Sequence, residues 1–192
     1  MFRAHQLGLA GQRVPRAQVQ RPVLDLARRP LLPGHDLARA LDEHLHFASK
    51  AQLMQAVIRD VDEVFTSVDD PPLTTVVERG ERALVEAWLS RKFDQWGEVR
   101  RHLTAAYQGA AVDPEIQAGL DAWFEDVAGS IQEGLDRAGR CEPETRRVRA
   151  VLAFGQLEYL AKRWLRVGWA VDREICLRSL TDSWCYLLAS SA

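Results

Sequence analysis

The sequence predicts an all-α protein. Three observations carry that prediction: apolar residues recur at three- and four-residue intervals along the chain from Ser49 onward, proline, glycine and capping aspartates punctuate these runs, and no stretch alternates apolar with polar residues as a half-buried strand does.

The first 35 residues are the exception to that regularity. They hold Pro15, Pro22, Pro30 and Pro33, half of the chain's eight prolines, and no serine, threonine, lysine or isoleucine occurs before Ser49. Pro30 and Pro33 would each break a helix interior, so "RRPLLPGHD" reads as a turn or loop. The most regular piece expected there is a short helix from about Val19 to Arg29 with Pro22 in its first turn. Asp36 can cap a second short helix, "LARALDEHL", with Leu37, Ala40, Leu41, His44 and Leu45 on one face.

From Ser49 the elements follow one another with clear boundaries. Ser49 and Gln52 form a capping box that opens a helix over about Lys50 to Val68, with Leu53, Val57, Val61, Val64, Phe65 and Val68 inward. Pro71 and Pro72 separate it from a helix carrying Leu73, Val76, Val77, Leu84, Ala87 and Trp88. A further helix places Phe93, Trp96, Val99, Leu103, Ala106 and Tyr107 inward. Asp113 caps and Pro114 begins a long helix with Ile116, Leu120, Trp123, Val127, Ile131 and Leu135 in register. The helix from Pro143 to about Val167 is apolar on two faces, Val148, Leu152, Gly155 and Tyr159 on one and Val151, Phe154, Leu157, Ala161 and Leu165 on the other. It therefore needs two packing partners. Asp172 caps the last helix, where Ile175, Leu177, Leu180, Trp184, Leu187 and Leu188 are the burial candidates.

Composition bounds the function. At 192 residues, 47% hydrophobic and 27% charged, the chain has the makeup of a soluble globular protein. It contains neither an apolar run of membrane-spanning length nor a signal-peptide core, which points to the cytoplasm. Cys141, Cys176 and Cys185 fall at no metal-ligand spacing and are expected to be reduced thiols. A net charge of −2 gives no global attraction to nucleic acid, yet before Asp36 six arginines face a single acid, Asp25. No nucleophile elbow, phosphate-cradling loop, H-E-x-x-H or Cys/His cluster is present, so no enzyme, cofactor or metal site is expected.

One motif is more specific. "HLHFASKAQLMQAVI", residues 44–58, resembles the end of the helix-turn-helix and the start of the fourth helix in the tetracycline-repressor-like (TetR) family of bacterial regulators, where a "Y-x-H-F-x-S-K-x-x-L" pattern is typical. His46, Phe47, Ser49, Lys50 and Leu53 match it, and His44 stands where tyrosine is usual. The distal stretch "LEYLAKRWLRVGWAVDREICLRSLTDSWCYLL" resembles the last two helices of the same family, so the likeness covers roughly residues 36 to 192.

The resemblance implies a TetR-like all-α fold. It divides the chain into a DNA-binding region at 1–48, a connecting helix at 49–68, and a ligand-binding and dimerisation domain at 69–192. It further implies a repressor-like regulator that binds double-stranded DNA as a homodimer and responds to a small apolar or amphipathic effector, without a membrane partner. The positions it offers to DNA are His44, His46 and Lys50, and the arginine run that ends at Arg39 adds Arg39 as a phosphate contact. Those it assigns to the ligand are Trp96, Tyr107, Trp123, Phe154 and Tyr159, and those at the dimer interface are Val151, Leu165, Leu180, Trp184 and Leu187. The interval from Asp36 to Phe47 departs from the family: it is about five residues short of the usual helix, turn and recognition helix. The reader is accordingly expected to be degenerate, with residues 1–35 disordered or translated out of frame. The alternative is a ligand-binding helical dimer that has lost specific DNA binding.

Overall fold

The structure, a computed structural model, describes Phe47 and residues 49–189. Among these residues every regular element is a helix: α1 (Lys50–Thr66), α2 (Leu73–Arg79), α3 (Arg82–Ala110), α4 (Pro114–Ala138), α5 (Pro143–Val167) and α6 (Arg173–Leu188). The expected short helices at 19–29 and 36–45, and the whole question of the segment 1–35, lie outside the described residues.

Local chemistry sets most of the boundaries. Ser49 Oγ accepts the Gln52 amide at 3.2 Å and starts α1. Asp113 Oδ1 accepts the Glu115 amide at 3.0 Å and Pro114 occupies the first turn of α4. Asp172 Oδ1 accepts the amides of Glu174 and Ile175 at 2.9 and 3.1 Å and starts α6. Each cap satisfies amide donors that a helix start leaves without an intrahelical partner.

Two boundaries differ from the sequence expectation. The segment from Leu73 to Trp88 is not one helix: Gly80, at φ +65°, ends α2 in the left-handed conformation that glycine adopts without Cβ strain. The expected break between Trp88 and Phe93 does not exist, because nothing in "LSRK" interrupts helical hydrogen bonding. α3 therefore runs unbroken for 29 residues, roughly 43 Å. In α1 the buried residues are Ala51, Ile58 and Val61, and Val68 lies past the helix and is exposed.

α3 is the central element and packs against all five others. Its Trp88, Leu89, Phe93 and Trp96 join Val76 and Val77 of α2, Ile131 and Leu135 of α4, Ala150, Ala153 and Leu157 of α5, and Leu177, Leu180 and Trp184 of α6 in one apolar core. α1 packs along α3 and α4, with Ile58 seated beside Ala106 and Leu120.

A close approach of α2 to α4 is made possible by a residue that the sequence does not single out. Gly134 of α4 faces α2, and a Cβ built on it would lie 2.6 Å from the Thr74 carbonyl oxygen and 2.7 Å from Val77 Cβ. The carbonyl is backbone and cannot swing aside. Gly134→Ala should therefore force α2 from α4 and lower unfolding stability by about 2 kcal/mol, even though alanine is the better helix former. A chemical-denaturation midpoint at or above the wild-type value would contradict that packing.

The C-terminal end of α1 is fastened by buried polar groups. Lys92 Nζ donates to the Phe65 carbonyl and, at 2.7 Å, to Asp69 Oδ1, while Gln95 Nε2 donates to the Val64 carbonyl at 2.7 Å. Trp88 Nε1 donates to the other oxygen of Asp69 at 3.0 Å. The carbonyls of Val64 and Phe65 belong to the last turn of α1, where intrahelical donors run out, so two side chains of α3 close that helix from outside. Burial pushes the Lys92 ammonium below its ordinary range, and Asp69 opposes the shift.

Candidate functional site: an aromatic cluster between α3, α4 and α5

Tyr107, in the last turns of α3, and the adjacent Trp123 and Phe124 of α4 meet Phe154 of α5. Phe124 is the hub: its ring centroid lies 6.4 Å from Tyr107, 5.4 Å from Trp123 and 5.3 Å from Phe154. All four rings are only partly buried. Trp123 reaches towards α1 as well, stacking on Phe65 at 6.1 Å and 11° and donating its indole N–H to Asp62 Oδ1 at 2.8 Å. The cluster thus joins α1 to the body of the bundle through one indole.

Charged groups complete the site. Phe154, Glu158 and Lys162 are spaced four apart on α5 and so share one face of the helix. Lys162 Nζ pairs with Glu158 Oε1 at 2.5 Å and lies 4.7 Å from the Tyr107 ring centroid and 5.9 Å from that of Phe124. Burial, and then the charge of Glu158, push the Tyr107 phenol above its ordinary value, so it stays a neutral hydrogen-bonding group.

Of the five residues assigned to a ligand from the sequence, three come together: Tyr107, Trp123 and Phe154. Trp96 does not join them. It is buried in a second aromatic group, 4.6 Å from Phe93, 5.7 Å from Trp164 and 5.5 Å from Trp169 between ring centroids. Tyr159 is 66% exposed, on a surface shared by α5 and α6. Phe124, Glu158 and Lys162 were missed. The four-residue spacing of Phe154, Glu158 and Lys162 was legible, but their convergence with Phe124 depends on how α4 and α5 cross.

The interface assignments divide in the same way. Val151 is exposed, and Leu165 and Leu187 are half-buried. Trp184 and Leu180 are instead packed inside the chain: Trp184 is wholly buried, stacks on Trp88 at 5.6 Å and donates its N–H to the Ala153 carbonyl at 2.9 Å. The periodicity of α6 marks these two residues as apolar but does not say which of its partners covers them. α3 and α5 do. Of the DNA-facing assignments, Lys50 is the exposed first residue of α1, and Arg39, His44 and His46 lie outside the described residues.

Two other features bear on chemistry. Among the described residues no group of three or more His, Cys, Asp or Glu side chains is placed to hold a metal ion, and no helix is long and apolar enough to cross a membrane. His102 acts on a carboxylate of another helix: its charge lowers the Asp60 carboxyl, against the larger upward push of burial. No family model, no curated protein and no solved structure matches the chain.

Proposed function

We propose that this chain is a ligand-responsive, repressor-like transcriptional regulator of TetR type, acting as a homodimer through α5 and α6. The observation that carries the reading is an exposed apolar surface on those two helices. On α5, Val148, Leu152 and Tyr159 are each more than half exposed, and Val171 in the connection and Ile175 and Tyr186 on α6 are exposed as well. Between the helices runs a groove of about 390 Å³, lined by Tyr159, Leu160, Val171, Ile175 and Cys176 among others. Contiguous apolar surface of this kind marks an interaction site, and a two-fold axis against it pairs two helices from each copy into a four-helix interface.

The test is oligomeric state. Leu152→Glu and Ile175→Glu alter exposed side chains and leave the core of the chain intact, yet each change enters a two-fold interface twice. If each buried charge weakens pairing about tenfold, the dimer constant rises about a hundredfold. Light scattering across a dilution series should show a dimer for the natural chain and a monomer for the variants. A monomeric natural chain, or variants that remain dimeric, would overturn the proposal.

DNA binding rests on the match at His46, Phe47, Ser49, Lys50 and Leu53 and on the arginine-rich segment before Asp36. The short interval from Asp36 to Phe47 is the observation behind the alternative, a ligand-binding dimer without specific recognition. The two separate on salt dependence: a working reader holds a palindromic operator at physiological salt, whereas phosphate contacts alone give sequence-blind binding that disappears as salt rises.

A further inference from the structure

We propose that the cluster of Tyr107, Phe124 and Glu158 is a seat for a bulky organic cation, and that Lys162 fills this seat with its own ammonium when no ligand is bound. The inference rests on the effector-binding reading above and names the class of effector.

Three observations carry it. First, the fixed electrostatics of the site favour positive charge from two directions. The faces of Tyr107 and Phe124 present the negative side of the aromatic quadrupole to the same point, and the Glu158 carboxylate stands 2.5 Å from the cation that occupies it. Second, the occupant is less embedded than its seat: the Lys162 side chain is 45% exposed against 20% for Glu158. A lysine ammonium is compact, strongly hydrated and mounted on a flexible stem, so swinging it into water restores its hydration and leaves the carboxylate and rings in place. Third, Trp123, Phe124 and Phe154 are half-buried, leaving apolar ring surface that the lysine stem does not cover. An alkyl- or aryl-substituted ammonium brings apolar area to that surface, which a lysine does not.

An organic carboxylate is the opposite candidate, with Lys162 as its partner. It would meet Glu158 beside that lysine and the negative faces of both rings, so the observations favour the cation.

The experiment titrates the full chain with (4-phenylbutyl)trimethylammonium and with its neutral isostere, in which a quaternary carbon replaces the nitrogen. Calorimetry and tryptophan fluorescence are the readouts. The natural chain should bind the cation. Lys162→Ala, which empties the seat at an exposed position, should bind it about tenfold more tightly, and Glu158→Gln about tenfold more weakly. The neutral compound should bind at least tenfold more weakly than the cation. Absence of cation binding to both the natural chain and Lys162→Ala would overturn the proposal. So would equal binding of the isostere, or unchanged affinity in Glu158→Gln with its thermal midpoint preserved. Equal binding of the isostere would leave the effector reading standing, because an apolar effector site would then exist without preference for charge. Dimer dissociation on dilution tests that reading separately.

Discussion

Trp184→Ala is expected to lower the unfolding free energy by about 4 kcal/mol, within the range of large aromatic truncations in close-packed cores. The indole is wholly buried, stacks on Trp88 and donates its N–H to the Ala153 carbonyl, so one side chain joins α6 to α3 and α5 at once. Truncation leaves a cavity in the core beside Trp88 and Ala153 that backbone helices cannot close. Trp184→Phe retains a ring against Trp88 but loses the N–H donor and part of the volume, and should lose about 1.5 kcal/mol. Urea denaturation at several protein concentrations separates this account from the interface role expected of Trp184 from the sequence. A core residue weakens the chain by the same amount at every concentration, whereas an interface residue weakens it most where the dimer is populated. A loss that disappears on dilution would return Trp184 to the interface.

How far the sequence reached is clearest along α4 and α5. The start and extent of α4 were legible: a capping aspartate, proline at the first helical position and an apolar stripe are local signals, and helix formation reads them locally. The same holds for the Asp172 cap of α6. The two-faced character of α5 was legible too, but not the occupant of each face. Ala150, Ala153, Leu157 and Ala161 turn inward, while Val148, Val151 and Leu152 are exposed, although alanine carries the weaker apolar signal. Close helix packing selects small residues for the crossing, and a hydrophobicity count ranks them below valine and leucine. Gly134 is the same lesson at α4: in sequence it looks like a helix weakener, and in the fold it is where α2 touches down. The break at Gly80 was visible as a glycine but was masked by apolar spacing that continues across it, since Val77 and Leu84 fall two helical turns apart. Within the candidate site, Tyr107, Trp123 and Phe154 were named because they are aromatic and inward on their own helices. Trp96 has the same sequence character, and only the position of α5 and the loop carrying Trp169 assigns it to a different cluster.

Lys92 and Asp69 were not singled out by the sequence, and their substitution should have effects comparable to those at Trp184. Asp69→Ala leaves the Lys92 ammonium, 5% exposed, with the Phe65 carbonyl and without its hydrogen-bonded counter-charge, Asp62 acting on it only through space. It also leaves the Trp88 N–H without its acceptor. Removing one partner of a buried pair typically destabilises by about 3–5 kcal/mol, and about 4 kcal/mol is expected here. Lys92→Met fills nearly the same volume without charge. It removes the cap on Phe65 and the counter-charge of Asp69, which keeps its bond from Trp88 and has Arg91 Nε at 4.0 Å, so a smaller loss of about 2 kcal/mol is expected. The double variant should lose less than the sum of the two, because the second substitution no longer strands a charge. The pH dependence has a definite sign. Burial depresses the Lys92 ammonium below its unfolded value of 10.5, so between the folded and unfolded values the unfolded chain binds more protons than the native one. Stability attributable to this residue therefore rises with pH as the folded group deprotonates, and levels off above 10.5. Plotted as the difference between the natural chain and Lys92→Met, unfolding free energy should climb through that alkaline window, where effects of the other lysines cancel. A flat difference would mean that Lys92 is solvated in the native chain, and α1 would then be held at its C-terminal end by Gln95 and by the indole of Trp123 on Asp62.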